Sequence, residues 1–150
     1  FVATPAELLL QIIVVDDASE PPLAPLIRRA TELKVHVLRL EKPVGLIAAR
    51  QQGGLAARGD VLLFLDCHVK PAEGFWRPLL LEIHRDERRV VVPTTTHLDV
   101  ADWSETARPP RGFGMAKCYL TFDAEFKWTT DSTAWVPILS GGLLAILSVT

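Results

Sequence analysis

Asp66-Cys67-His68 places a carboxylate and an imidazole two residues apart, directly after the apolar run Val61-Leu62-Leu63-Phe64-Leu65. Such a run reads as a buried strand of a parallel sheet. In an extended segment residues i and i+2 point the same way, so both side chains are expected to reach one cation. Oxygen together with nitrogen suits a divalent ion such as manganese. An ion held by two protein groups keeps positions open for substrate oxygens, which a diphosphate would fill. A second acidic pair, Asp16-Asp17, closes the apolar run Leu10 to Val15. Aspartate at a strand end either shapes the turn or faces a ligand beyond the sheet.

The elements that must position these groups alternate along the chain. Leu10 to Val15, Lys34 to Leu40, Val61 to Leu65 and Arg89 to Pro93 read as strands. Between them, Pro22 to Leu33 carries Leu23, Leu26, Ile27 and Ala30 at helical spacing. Gly45 to Ala57 reads as a helix despite Gly53-Gly54, and Glu73 to Arg85 as an amphipathic helix with Phe75, Leu79, Leu80 and Ile83 on one side. A βαβαβαβ order with right-handed crossovers predicts an α/β, Rossmann-like three-layer αβα sandwich with a mostly parallel sheet. From Thr94 the pattern breaks. His97 to Gly114 reads as a long loop, Cys118 to Trp128 as extended excursions, and Leu143 to Val149 as a last strand after Gly141-Gly142.

The 150 residues, 49% of them apolar, suffice for one domain with a sizeable core. A net charge of −2 gives no general attraction to nucleic acid or anionic membrane. Two cysteines, Cys67 and Cys118, make no disulfide framework. No apolar stretch is long enough to span a bilayer. Both ends read as cut within an element, so the chain is expected to be the middle of a larger domain, incomplete at both ends.

The stretches ELLLQIIVVDDAS (Glu7 to Ser19), GLIAAR (Gly45 to Arg50), VLLFLDCH (Val61 to His68), GFWRPLLLEI (Gly74 to Ile83), VVVP (Val90 to Pro93), FKW (Phe126 to Trp128) and PILSGGLLAI (Pro137 to Ile146) occur in one order. As an ordered set they resemble the GT-A-fold glycosyltransferases, most closely the polypeptide N-acetylgalactosaminyltransferases. The resemblance implies a UDP-GalNAc donor, manganese, Ser/Thr acceptors on proteins and retention at the anomeric carbon. It implies a nucleotide-binding part over roughly residues 1–97 and the start of an acceptor-side part over roughly 98–150. Asp17 matches the aspartate that contacts the nucleotide, with Asp16 organising the turn. Asp66 and His68 match the DxH metal ligands, and Cys67 the variable middle residue whose backbone lies against the donor. Gly141 and Gly142 match a glycine pair beside the donor sugar. The family's third metal ligand, its acceptor-side motif and its lectin module would lie beyond Thr150, and no catalytic residue is assigned within the chain. Golgi-luminal location, through a membrane anchor outside this chain, is likewise only implied.

Two departures stand out. Pro43 occupies the place of a family arginine near the nucleotide, and Thr121 to Glu125 alter the aromatic motif before FKW. Alternatives are a non-catalytic sugar-nucleotide-binding fragment or another GT-A glycosyltransferase. A more distant one is a phosphoacceptor receiver domain using Asp16, Asp17, Asp66, Thr95 and Lys117. Against that stands Lys117 in a Gly-rich irregular stretch rather than after an apolar strand.

Overall fold

The computed structural model describes residues 3–96, 98–105, 117–129, 139 and 142–148. The chain divides into two compact units. One comprises Phe1–Leu62, Ala72–Trp76 and Ser148–Thr150, the other Leu63–Pro71 and Arg77–Leu147.

In the first unit, the apolar runs around Ile13 and Val37 form strands β1 (Ile12–Asp16) and β2 (Val35–Arg39). They pair in parallel, in a register that sets Ile12 beside Val35 and Asp16 beside Arg39. Lys34 enters β2 with a positive φ of 55°. Its Nζ donates to the carbonyls of Ala6 and Leu9, which fastens the segment before β1.

The connection from β1 to β2 departs from the helix expected over Pro22 to Leu33. It holds one short 3-10 turn, Ala24–Leu26. Pro21, Pro22 and Pro25 supply no N–H, the Leu23 N–H is taken by the Asp16 carboxylate, and Arg29 adopts a left-handed φ of 58°. The first-turn N–H groups would be free in any helix, so what ends the run is the backbone beyond them: Ile27 is extended, at φ −86° and ψ 98°, and Arg29 is left-handed.

Helix α1 (Leu46–Ala56) follows β2. It starts at Gly45, whose φ of 85° suits glycine, and ends at the extended Ala57. Its packing face is not its large apolar residues: Leu46, Ile47 and Leu55 are exposed and Ala49 is buried. Ala49 and Gly53, one turn apart, form a shallow face, and a Cβ on Gly53 would lie 3.0 Å from Val15 Cγ2. The glycine that weakens the helix is the one that lets it approach β1.

The second unit contains the end of β3 (Val61–Phe64), nearly all of α2 (Trp76–Arg85), and the strands β4 (Lys117–Leu120), β5 (Phe126–Thr129) and β6 (Leu144–Leu147). Helix α2 begins after Gly74, at φ 69°, and buries Leu79 and Ile83 at i, i+4 as their spacing predicts. Its last turn and the residues just past it are charged: Glu82 pairs with Arg85 and Arg89, and Asp86 with Arg88.

Strand β3 pairs with β6. The strand expected over Arg89 to Pro93 reduces to one antiparallel bridge, in which Val91 and Ala145 exchange N–H···O bonds of 2.9 and 2.8 Å. Pro93 has no donor to extend it. β4 and β5 form an antiparallel hairpin, as two strands joined by five residues must. Parallel pairing is therefore seen in β1–β2, whereas the hairpin and the Val91 bridge are antiparallel. Cys118 is buried in β4, while Phe122, at the hairpin turn, is fully exposed. No described helix is long and apolar enough to cross a membrane.

Candidate functional site

The two adjacent aspartates at the end of β1 do different work. Asp16 is completely buried. Its Oδ1 accepts from Ser19 N at 2.8 Å, and its Oδ2 from Leu23 N at 3.0 Å and Arg39 Nη1 at 2.7 Å. The Leu23 N–H is the largest influence on its acidity, with Ser19 and Arg39 acting in the same sense. Together they outweigh burial and hold the carboxyl far below the usual carboxylate range. Asp16 is thus a fixed anion that organises the turn, as expected.

Asp17 is only partly buried and reaches in another direction. Its Oδ1 accepts from Val44 N at 2.8 Å and its Oδ2 from Gly45 N at 2.9 Å. Gly45 is the N-cap of α1, so Asp17 satisfies one donor at the helix start together with the Val44 N–H just before it. Each oxygen accepts one backbone bond here, which leaves lone-pair capacity on both. Val44 and Gly45, directly after Pro43, are the backbone that Asp17 holds.

In the second unit β3 ends at Phe64, and Cys67 and His68 lie in a turn. The expected strand alternation therefore does not extend across Asp66-Cys67-His68. The reason is local: chain reversal begins at Cys67, so period-two geometry is not what orients the pair. Asp66 is half-buried, and Cys67 and His68 are exposed, with the thiol sulfur 4.0 Å from His68 Nδ1.

Gly142 lies directly against Asp66. A Cβ built on it would be 2.5 Å from Asp66 Oδ2 and 3.4 Å from Cγ. No real side chain occupies that distance, so the backbone at 142 is bare where the carboxylate sits. Sequence reasoning placed Gly142 near a donor sugar but did not foresee this contact. Gly141 lies outside the described residues. Among the described residues, no group of three or more His, Cys, Asp and Glu side chains is gathered to hold a metal. Asp66 and His68 offer one oxygen and one nitrogen donor type, a set that fits manganese with further positions left to other ligands.

Lys70, two residues past His68, donates to the Trp103 carbonyl at 2.8 Å. This bond ties the Asp66–Lys70 loop to a turn built on Asp99, whose carboxylate accepts from Ala101 N. Neither Lys70 nor Arg39 carries a sequence signal. Their partners become visible only with the loop and the sheet register.

Residues 4–133 match Glycosyl transferase family 2. The chain belongs to glycosyl transferase family 2. Within that family it is 44% identical over 105 residues to mouse polypeptide N-acetylgalactosaminyltransferase 12, covering 67% of this chain and 18% of that protein. It is 35% identical over 158 residues to bovine polypeptide N-acetylgalactosaminyltransferase 6, covering 95% of this chain and 25% of the relative. The crystal structure of GalNAc-T7 with UDP, GalNAc and Mn2+ superposes with a TM-score of 0.72 at 27% identity, over 97% of this chain and 30% of that one. The chain thus spans about a quarter or less of the two curated relatives' length. A GT-A fold is shown for this family 2 glycosyl transferase, and the receiver-domain alternative falls. Lys117, which that alternative needed after an apolar strand, opens the β4–β5 hairpin instead.

Proposed function

We propose that this chain is part of the catalytic domain of a manganese-dependent polypeptide N-acetylgalactosaminyltransferase. The full protein would transfer GalNAc from UDP-GalNAc to Ser or Thr hydroxyls of proteins, with retention. The observation that carries the reading is the seat of Asp66 on the bare backbone of Gly142. It joins two of the motifs that define the resemblance, in a chain similar over 97% of its length to a transferase solved with UDP, GalNAc and Mn2+.

In this reading Asp66 and His68 hold the cation, and Asp17 receives the nucleotide. Cys67 presents its backbone to the donor, and Gly141-Gly142 lie beside the sugar, Gly142 also seating Asp66. A bound divalent ion supplies neutralisation of the diphosphate as it departs. The anomeric carbon–oxygen bond to the diphosphate breaks and one to the hydroxyl forms on the same face. The hydroxyl proton passes to the departing diphosphate. Such attack needs no carboxylate nucleophile from the protein, unlike retaining hydrolysis by a carboxylate pair. The family reading also carries a Golgi-luminal location and a membrane anchor outside this chain.

The test is transfer from UDP-GalNAc to a Ser/Thr peptide by the full-length protein, with manganese and after chelation. Metal-dependent glycopeptide with retained configuration is the expected result. Absence of transfer with manganese present, from folded protein that binds UDP, would overturn the assignment.

A further inference from the structure

Asp16 and Arg39 are register partners in the parallel β1–β2 pair, so their side chains leave the sheet on one face. Arg39 Nη1 bonds Asp16 Oδ2 at 2.7 Å and the Ser19 carbonyl at 3.0 Å. Asp16 in turn accepts from Ser19 N and Leu23 N. One carboxylate–guanidinium pair therefore grips the end of β1, both backbone groups of Ser19, and Leu23. Asp17 lies inside the segment so gripped. Beside it Ala18 holds a left-handed φ of 58°, a conformation that an alanine keeps only where its surroundings enforce it. A further pairing of Arg39 with the exposed Glu20, at 3.7 Å, adds little. The pairing with Asp16 differs because one partner is wholly buried, and removing the cation would leave that anion short of a donor.

We propose that Arg39, acting through Asp16, is a positioning residue for the nucleotide end of the donor, fixing the turn that aims Asp17. The proposal rests on the assignment of Asp17 to the nucleotide. Arg39 itself need not touch the donor. Its guanidinium is spent on Asp16 and Ser19, and its effect reaches the ligand through the Asp17–Leu23 backbone.

The experiment uses the full-length enzyme and compares Arg39→Met, Arg39→Lys and Asp17→Asn. Arg39→Met is expected to raise the KM for UDP-GalNAc about tenfold, with the acceptor-peptide KM and kcat changed far less. Arg39→Lys keeps the charge but not the fork, and should recover most of the donor KM. A purely structural role would lower active enzyme without moving donor KM apart from peptide KM, and that result overturns the proposal. If Arg39→Met does not fold, Arg39→Lys decides: a donor KM raised about two- to threefold supports positioning, an unchanged one overturns it. Asp17→Asn separates the two layers. If it leaves donor KM unchanged, the nucleotide assignment fails. If it raises donor KM while the Arg39 variants do not, only the positioning proposal fails.

Discussion

Asp66 Oδ2 lies against Gly142, at a separation that admits hydrogen but no methyl group. A Cβ there would lie 2.5 Å from Oδ2. Gly142→Ala must therefore displace the Asp66 side chain or the backbone on which it rests. The expected outcome is a loss of manganese affinity of about 10–100-fold, the range for a disturbed ligand orientation. Manganese titration of transfer activity in the full-length protein checks it, with circular dichroism to show that the fold persists. An unchanged manganese dependence would place the cation elsewhere.

Direct removal of either donor should be more severe. Asp66→Ala and His68→Ala are expected to abolish manganese-dependent transfer and to weaken UDP binding measured with metal. UDP binding measured without metal should change little. Both side chains lie outside the buried core, so thermal stability should stay close to that of the parent. Parent-like rates in either variant would contradict the ligand assignment.

Asp17→Asn should have two separable effects. An amide keeps one acceptor oxygen and turns a donor toward the other N–H, so the bonds to Val44 and Gly45 cannot both survive. Loss of this cap-like contact should lower stability by about 0.5–2 kcal/mol in denaturant titration. Donor KM should also rise several-fold if Asp17 meets the nucleotide. Stability loss without a donor effect would assign Asp17 to the helix alone.

Asp16 gives the protein an acid-side dependence with a definite sign. Its folded-state pKa is depressed, chiefly by the Leu23 N–H bond. Its stabilisation is therefore present above the ordinary carboxylate value of 3.8 and is lost as pH falls below it toward the folded value. Asp86, lowered mainly by Arg88, and Asp102, lowered mainly by Ser104, act in the same window. Unfolding midpoints between about pH 4 and about pH 2 should consequently fall for the parent and fall less for Asp16→Asn. Parallel pH profiles would show that Asp16 titrates alike in folded and unfolded chains.

What the sequence disclosed follows from which forces are local. Strands β1 and β2 and the buried Leu79–Ile83 stripe of α2 were legible because periodicity and apolar runs report burial directly. Pro22 to Leu33 misled because its apolar residues keep helical spacing while the backbone turns extended at Ile27 and left-handed at Arg29. Helix α1 was legible as a helix but its packing face was not, because close approach selects Ala49 and Gly53. At the site, Asp66-Cys67-His68 was legible as a set of donors, but not its geometry, because the strand ends at Phe64. The Asp16–Arg39 pair required the strand register, and the Gly142 contact required the return of the chain beside Asp66. Of the long loop expected over His97 to Gly114, His97 and everything from Thr106 onward lie outside the described residues, as does Gly141.

The contact between Gly53 and Val15 carries a consequence for how this sequence can change over evolutionary time. With only 3.0 Å between a Cβ at position 53 and Val15 Cγ2, the two positions share one allotment of volume. A mutation that enlarges residue 53 requires Val15 to give way by a few tenths of an ångström, and is expected to be tolerated best where residue 15 is already smaller. The reverse order would pass through a strained intermediate. Sizes at 15 and 53 should therefore be anticorrelated among descendants of a common ancestor. The path to a sturdier α1 is then historically contingent, easier after a Val15→Ala step than before it.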